Sequence, residues 1–115
     1  MHTMIEIDDK KPSSKKGITI YTKAVGYEIY LLRKRRLLSG KELANLLNIS
    51  QQQVSRYERG ICNITIDMLI QVLNVLKMPI QDFLDRAIIR VSIMKFKLNS
   101  IGSKDISLLK NNFVK

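Results

Sequence analysis

Hydrophobic residues recur at every third or fourth position from about residue 22 onward, and this spacing is typical of amphipathic helices. The first predicted helix begins near Thr22 and ends near Leu37. Its inner face carries Val25, Ile29, Leu32, Arg36 and Leu37, and its outer face carries Glu28, Lys34 and Arg35. Residues 1–17 are short of core-forming side chains, mix both charges and contain Pro12, so we predict a flexible N-terminal arm there.

A second, shorter helix is predicted from about Gly40 to Leu47. Ser39 and Glu42 have the spacing of a capping box, in which each side chain satisfies a backbone N–H of the other residue. The buried face is predicted to consist of Leu43, Ala44, Leu46 and Leu47. Asn48 stands where the chain must turn, and asparagine tolerates a left-handed backbone. The pattern therefore predicts a short helix that ends in a tight turn.

The stretch SQQQVSRYERG, residues 50–60, predicts a third helix that is polar on one side. Ser50 and Gln53 repeat the capping-box spacing at its start, and Gly60 ends it because glycine adopts positive φ readily. Only Val54 and Tyr57 are apolar side chains within it. Two short helices joined by a tight turn, with the second polar on its outer side, form the arrangement that reads the major groove of DNA.

The inner side of such a helix-turn-helix unit has its own requirements, and the sequence meets them. Because the two helices cross steeply, a small residue is needed at their closest contact, and Ala44 supplies it. The apolar contacts are predicted at Leu43, Leu47, Ile49, Val54 and Tyr57. Agreement of several positions at fixed spacing is a stronger indication than any one of them alone.

Three further helices complete the predicted pattern. Thr65 caps a fourth helix, and Pro79 lies in the first turn of a fifth, where its missing N–H is not needed. The inner face of the fourth helix consists of Ile66, Leu69, Ile70, Leu73 and Leu76. The apolar stripe of the fifth persists to Leu98, and after Gly102 a short last helix carries Ile106, Leu109 and Phe113 on one side. No convincing strand is present, so the predicted fold class is all-α.

The charge of the chain adds a class of partner to this picture. Twenty Lys and Arg stand against ten Asp and Glu, a formal net charge of +10, and most of the excess follows residue 22. This balance favours a polyanionic partner, either nucleic acid or an anionic membrane surface, although a solvated basic surface would have the same composition. The glutamine run 51–53 is by itself typical of a solvated helix face, but at the start of the second helix of this unit it favours contact with DNA.

Catalytic and metal-binding patterns are missing from the sequence. The single thiol, Cys62, cannot form an internal disulfide and is predicted to be an inert, partly buried loop residue. No Cys/His cluster has metal-ligand spacing, so we predict neither a metal site nor a cofactor. No nucleophile stands with a base, and there is no glycine-rich phosphate loop, so we predict that the protein is not an enzyme. The lack of a signal peptide or a long apolar run predicts a cytoplasmic bacterial protein without a membrane anchor.

With these residues identified, the chain from about Val25 to Leu84 resembles the Cro and phage-repressor type of helix-turn-helix regulators, also called the xenobiotic-response-element family. The similar segments are LRKRRLLSGKELANLLNISQQQVSRYERG and TIDMLIQVLNVLKMPIQDFL. The resemblance implies a five-helix, lambda-repressor-like DNA-binding domain at 18–84, with the helix-turn-helix at 40–60. Residues 85–115 then form a helical C-terminal extension that continues a long fifth helix. The segment SQQQVSRYE also resembles the corresponding segment of small regulators encoded with fimbrial operons of enteric bacteria. Those regulators repress flagellar genes.

The resemblance also implies which residues meet DNA. The family positions that face base edges correspond to Gln51, Gln52, Ser55 and Arg56, and Ser50 with the first amides of the third helix approaches phosphate. Glutamine can pair bidentately with adenine and arginine with guanine, and each good pair contributes about 1–3 kcal/mol of discrimination. Phosphate contacts are further predicted for Lys41, Gln53 and Arg59. Gln53 serves either the helix cap or a phosphate, and Lys41 replaces a contact that many relatives make with a glutamine at the position of Gly40.

Arg33 and Glu58 match an ion pair of the family that ties the first helix to the third. We predict a structural role for it. If the pair is buried, loss of one partner costs about 3–5 kcal/mol, and if it is exposed the pair contributes little. The neighbouring cations Lys34, Arg35 and Arg36 are predicted to face solvent or to lie near phosphate.

The apolar stripe of the fifth helix leaves two alternatives open. It is predicted to form a homodimer interface together with the C-terminal segment, while the competing interpretation is that the short last helix folds back over it. The predicted interface consists of Phe83, Leu84, Ala87, Ile88, Val91 and Met94. A homodimer would read an inverted DNA repeat whose half-sites lie about 34 Å apart.

Together these patterns predict a dimeric, sequence-specific DNA-binding regulator, a repressor of fimbrial and motility genes. The alternative is an antitoxin-type protein that binds a partner protein and contacts DNA only to regulate its own operon. Binding to a membrane surface is the third hypothesis.

Overall fold

The computed structural model describes residues 19–101, which form five helices joined by short loops. In chain order they are α1 (Ile20–Arg35), α2 (Gly40–Leu47), α3 (Gln51–Arg59), α4 (Ile66–Val75) and α5 (Ile80–Ile101). No strand occurs within these residues, so the predicted all-α fold with five helices is confirmed. The predicted N-terminal arm and the predicted short helix after Gly102 lie outside the described residues.

Helix α1 begins and ends two residues before its predicted bounds. Thr19 caps its N-terminus, because its Oγ1 accepts hydrogen bonds from the N–H groups of Tyr21 and Thr22 at 3.1 and 3.3 Å. The prediction that Leu37 belongs to the inner face is wrong, since this residue has a φ of 59° and is 89% exposed. The left-handed backbone turns the chain toward α2 and carries the side chain away from the core.

The first four helices end in the same way. A residue with φ between 56° and 67° follows each of them, and these residues are Leu37, Asn48, Gly60 and Lys77. At each end the following N–H donates to a carbonyl five residues earlier, at distances of 2.9–3.2 Å. This bond is the mark of the Schellman motif, which satisfies carbonyls that a helix end leaves without partners. The turns predicted at Asn48 and Gly60 are confirmed.

The core forms where α1 packs against α3 and α5, and where α2 packs against α3 and α4. Its most deeply buried large side chains are Ile29, Leu43, Val72, Leu76 and Phe83. Three residues predicted to face inward, Leu46, Ile66 and Ile70, are exposed instead. Each lies to one side of the buried face of its short helix, because each residue step turns the side chain by about 100°.

Helix α5 continues well past the core. The carbonyl of Pro79 accepts a hydrogen bond from the Phe83 N–H at 3.0 Å, so Pro79 stands just before the first turn rather than within it. Phe83 and Ala87 bury the first two turns. Farther along, the helix stays close to α1, where Lys95 Nζ donates to Tyr21 Oη at 3.1 Å. The exposed apolar side chains of α5 are Ile80, Leu84, Ile88, Ile89, Ile93, Phe96 and Leu98.

Glu28 on α1 binds the middle of α5 through Arg86 and Arg90. The prediction placed it on the polar face, but it is only 4% exposed. Its carboxylate lies 2.8 Å from Arg90 Nε and 3.6 Å from Arg86 Nε. The Arg90 guanidinium also lies 4.7 Å from the centroid of the Tyr27 ring. Because a buried carboxylate requires such partners, this charged cluster fixes how α5 lies on α1.

Candidate nucleic-acid interface

Helices α2 and α3 meet at a tight turn, as the sequence predicts. Ser39 Oγ accepts from the Glu42 N–H at 3.0 Å, and Glu42 Oε1 accepts from the Ser39 N–H at 2.7 Å, which completes the capping box. Asn48 adopts the left-handed conformation with φ 60° and ψ 43°. Of the predicted inner residues, Leu43, Ala44, Leu47 and Val54 are buried, and Ile49 and Tyr57 are half-buried. The helix-turn-helix unit thus packs its apolar side against the core, and one face of α3 is left exposed to solvent.

The outward face of α3 is polar and basic. Gln51, Gln52, Arg56 and Arg59 are exposed, and Ser55 is half-buried beside them. Arg59 Nε donates to Ser55 Oγ at 3.1 Å, which turns Ser55 toward the C-terminal end of the helix. Four of the side chains predicted to contact DNA are therefore exposed on one surface, while Ser55 lies at its edge.

Gln53 has a more local role than the sequence suggests. Its backbone N–H donates to Ser50 Oγ at 3.0 Å, so Ser50 caps α3. The side chain of Gln53 does not complete a second capping box; its Nε2 lies 3.5 Å from Cys62 Sγ. Its Oε1 accepts from Arg56 Nη1 at 3.4 Å. Gln53 therefore lies toward the loop after α3, where Cys62 is half-buried as predicted.

The start of α2 lies beside the start of α3. A Cβ atom added to Gly40 would lie 3.8 Å from Gln51 Nε2, an ordinary contact distance. Lys41, the next residue, is exposed, and so is Ser50. The N-terminal ends of both helices, which carry partial positive charge, are thus brought to one side of the molecule.

Arg33 and Glu58 form the ion pair that the resemblance implies, and it is largely buried. The Arg33 guanidinium donates to both Glu58 oxygens, with Nε–Oε2 at 2.7 Å and Nη2–Oε1 at 3.0 Å. The side chains are 12% and 8% exposed. Arg33 Nη1 also donates to the Leu38 carbonyl at 2.8 Å. The hydrogen bond to Glu58 raises the pKa of Arg33 above its ordinary value despite partial burial, so the guanidinium stays charged while it ties α3 to α1.

A close backbone contact, which the sequence pattern did not predict, fixes α3 on α1. A Cβ atom at Gly26 would overlap the Tyr57 carbonyl oxygen and lie 2.9 Å from the Glu58 carbonyl oxygen. Gly60 approaches in the same manner, with its Cβ position 2.7 Å from Lys23 Cα. A glycine inside an otherwise regular helix is the signal that indicates such an approach. The orientation of α3 therefore depends on the absence of a side chain at Gly26 in α1.

Arg36 is exposed, in agreement with its predicted position near solvent, and its guanidinium is also bonded to α4. Its Nε donates to the Leu76 carbonyl at 2.7 Å, and its Nη2 donates to the Lys77 carbonyl at 3.0 Å. These carbonyls stand at the C-terminal end of α4, where a positive charge is also favourable for the helix dipole. Arg36 thus joins α1 to α4.

The predicted dimer residues divide into two groups. Phe83 and Ala87 belong to the core of the same chain, so they are not available to a second subunit and their assignment to an interface is wrong. Leu84 and Ile88 are exposed, and Val91 and Met94 are half-buried. Ile89, Ile93 and Phe96 add exposed apolar surface that the prediction did not include.

Two further features concern the described residues as a whole. None of the helices in 19–101 is long and apolar enough to cross a membrane. Within the same range, no group of His, Cys, Asp and Glu side chains has an arrangement that could hold a metal ion.

The chain is similar to known helix-turn-helix proteins in both sequence and structure. The helix-turn-helix family matches it over residues 29–83, from the middle of α1 to the first turn of α5. No curated protein matches the chain significantly.

Two regulators of known structure have the same fold. The clp gene regulator ClgR from Corynebacterium glutamicum is 21% identical with a TM-score of 0.67, and the match covers 71% of this chain and 87% of ClgR. The restriction-modification controller protein C.Esp1396I, in a tetramer bound to its natural 35 base-pair operator, is 22% identical with a TM-score of 0.59. That match covers 64% of this chain and 96% of the controller protein. The fold is therefore of the lambda-repressor-like helix-turn-helix type.

Proposed function

We propose that this chain is a DNA-binding transcriptional regulator that places α3 in the major groove of double-stranded DNA. The observation that supports this most is the exposed face of α3, where Gln51, Gln52 and Arg56 lie beside Arg59 on a helix held rigidly from behind. A single helix fits the major groove, where each base pair presents a distinct pattern of donors and acceptors. The net charge of +10 would attract the phosphate backbone.

The side chains on this face suit different parts of the DNA. Gln51 and Gln52 offer amides that pair with adenine, and Arg56 offers two donors for guanine O6 and N7. Ser55 reaches bases only if its hydroxyl turns away from Arg59. Phosphate contacts are proposed for the exposed side chains Lys41, Ser50 and Arg59, and Gln53 makes one only if its side chain turns away from Cys62. Base contacts would set the sequence preference and phosphate contacts the orientation.

The proposed regulatory role is supported by the functions of the two proteins of similar structure. ClgR is a gene regulator, and C.Esp1396I is a controller protein crystallised on its operator. By analogy, the present chain would act on promoters in the bacterial cytoplasm, on the nucleoid. The segment SQQQVSRYE resembles regulators encoded with fimbrial operons, and this resemblance supports fimbrial and motility genes as targets and repression as the mode of action.

Substitution of Arg56 and of Lys41 should separate base reading from phosphate binding. In the α3 variant Arg56→Ala, we expect discrimination at one base pair to fall by about 1–3 kcal/mol, because one bidentate contact is lost. In the α2 variant Lys41→Ala, we expect affinity to fall about equally for all sequences. An operator is first selected from random DNA with the unaltered protein. Binding constants for single-base variants of that operator then measure both effects.

The salt dependence of the same binding constants provides the control. Lys41→Ala should reduce the slope of log K against log salt by about one unit, since one phosphate contact is lost. If the unaltered protein showed a flat salt dependence, DNA binding itself would be contradicted. If both variants changed affinity alike at every site, the assignment of Arg56 to a base would be wrong.

We further propose that α5 joins two subunits on an inverted repeat. The support is the exposed apolar surface of Leu84, Ile88 and Ile89, which a monomer leaves in contact with water. Such surface is unfavourable unless a partner covers it, and a twofold dimer would align two α3 helices on successive major grooves.

Charge placed in this surface should separate the subunits. We expect Ile88→Glu and Ile89→Glu to shift the sedimentation equilibrium to monomer and to weaken operator binding, because a carboxylate is costly in an apolar interface. Asp85→Lys, which changes charge at an exposed position nearby on α5, is the control and should leave the apolar surface intact. Dimers of unchanged strength in both isoleucine variants would place the interface elsewhere.

A further inference from the structure

A cavity of about 650 Å³ lies where α1, α3 and α5 come together, beside the C-terminal half of α3. Its walls consist of side chains one turn apart on each helix, for example Lys23 and Tyr27 on α1, Ser55 and Arg59 on α3, and Arg90 and Met94 on α5. Sites for small organic ligands have volumes of about 300–1,000 Å³ and combine apolar walls with a few polar groups. The cavity therefore has the size of a ligand site.

The cavity is positively charged on all of its walls. Its cationic side chains are Lys23 on α1, Arg59 on α3, and Arg90 and Lys97 on α5. Among the residues that the structure describes, Glu58 is the only carboxylate that lines it, and both of its oxygens accept hydrogen bonds from Arg33. Within residues 19–101, neither Lys23 nor Arg59 forms an ion pair with a carboxylate. An anion in the cavity would thus meet cations from three helices and no uncompensated negative charge.

Apart from Ser55, the rest of the lining is aromatic and apolar. Tyr27 and Tyr30 lie on the α1 wall with their ring centroids 6.1 Å apart and their planes inclined by 26°. Ile93 and Met94 line the α5 wall. Flat rings and a thioether favour a planar aromatic body, which gains stacking and sulfur contacts beyond the burial of its area.

We propose that this cavity is a binding site for a small aromatic carboxylate. The carboxylate would lie among Lys23, Arg59 and Lys97, and the rings would pack against Tyr27 and Met94. An inorganic anion would leave the apolar walls without contacts, and a neutral aromatic compound would leave Lys23 and Arg59 without a carboxylate partner. Only a ligand that combines both properties meets the whole lining.

If α3 reads DNA as proposed above, this site also regulates that function. Arg59 lies on α3 and donates to Ser55 Oγ, and both residues stand at the edge of the proposed DNA face. A ligand carboxylate would recruit the Arg59 guanidinium and withdraw it from phosphate. By linkage, the aromatic carboxylate would weaken DNA binding by the same factor by which DNA weakens ligand binding.

The test uses the full chain, 2-naphthoate as probe, and 2-naphthamide as the neutral compound of the same shape. We expect ¹H–¹⁵N spectra to show shifts at Lys23, Tyr27 and Ile93 on addition of 2-naphthoate, and none along α4. Titration should give an affinity at least tenfold higher for 2-naphthoate than for 2-naphthamide, because only the former meets the cations. No DNA is present, so failure of this test leaves the DNA-binding proposal untouched.

Two matched variants decide whether the cavity itself is responsible. Lys23→Gln keeps the aliphatic stem that packs on Gly60 and should lower the affinity for 2-naphthoate about five- to tenfold. Arg35→Gln removes an equal charge from an exposed position of α1 outside the lining and should leave it unchanged. Equal affinity for the two compounds, equal loss in the two variants, or shifts along α4 would overturn the proposal. So would loss of 2-naphthoate binding when the protein concentration is raised, because a second subunit would then fill the cavity.

Discussion

Gly26→Ala should destabilise the fold by about 3 kcal/mol or more, although alanine is the better helix former. The added methyl group would overlap the Tyr57 carbonyl oxygen and crowd the Glu58 carbonyl oxygen, and backbone atoms cannot move aside as a flexible side chain can. α1 and α3 must therefore separate, which loosens the core around them. Overpacking of this kind typically costs about 1–3 kcal/mol, and more where the neighbour is rigid. Urea denaturation followed by circular dichroism measures the change.

Gly40→Ala is the matched control, because this glycine also lies in a helix but in open surroundings. Its Cβ atom would meet only the Gln51 side chain, at 3.8 Å and beyond. With no clash, the higher helix propensity of alanine should leave stability unchanged or raise it by up to about 1 kcal/mol. If the two variants had equal urea midpoints, the close approach of α1 and α3 would be contradicted.

The contrast between these glycines shows which part of the fold the sequence could predict. Periodicity and capping residues gave α2 and α3 within a residue, because Ser39, Glu42, Asn48 and Gly60 each act on the backbone next to them. The contact at Gly26 joins residues far apart in the chain. A glycine inside a helical pattern indicates that a close approach is possible, but the local pattern does not identify the segment that approaches it.

Helix ends show the same limit. Asn48 and Gly60 were predictable because asparagine and glycine tolerate positive φ. Leu37 and Lys77 adopt the same conformation without such a preference. There, the following residues Leu38 and Met78 pack against the core, and this tertiary contact favours the turn. Local propensity was overridden by burial of the next side chain.

The candidate interface was predicted unevenly for a related reason. Exposure of Gln52 and Arg56 follows from the inward direction of Val54, since both lie nearly opposite it on the same helix. Placement of Glu28 and Arg36 depends on partners in α5 and α4, 62 and 40 positions away. Charge alone suggested solvent for both, but Glu28 is buried, and Arg36, although exposed, donates hydrogen bonds to specific carbonyls.

Loss of either partner of the Arg33–Glu58 pair should cost about 3–5 kcal/mol, because the remaining charge would stay buried without compensation. We therefore expect Glu58→Leu and Arg33→Met to lower the urea midpoint strongly, while the exposed neighbour Arg35→Met changes it little.

The double variant Arg33→Met/Glu58→Leu distinguishes a charge effect from a packing effect. It removes both charges, so we expect it to be more stable than the sum of the two losses predicts. The remaining loss should reflect the Leu38 carbonyl, which loses its hydrogen bond from Arg33 Nη1. Because the pKa of Arg33 is raised, its stabilising charge would be lost only as the pH rises through that raised value. The coupling free energy from this double-mutant cycle should therefore be the same from neutral to moderately alkaline pH. Strictly additive losses would mean that the two side chains stabilise the fold independently, and that the ion pair is not what holds α3 to α1.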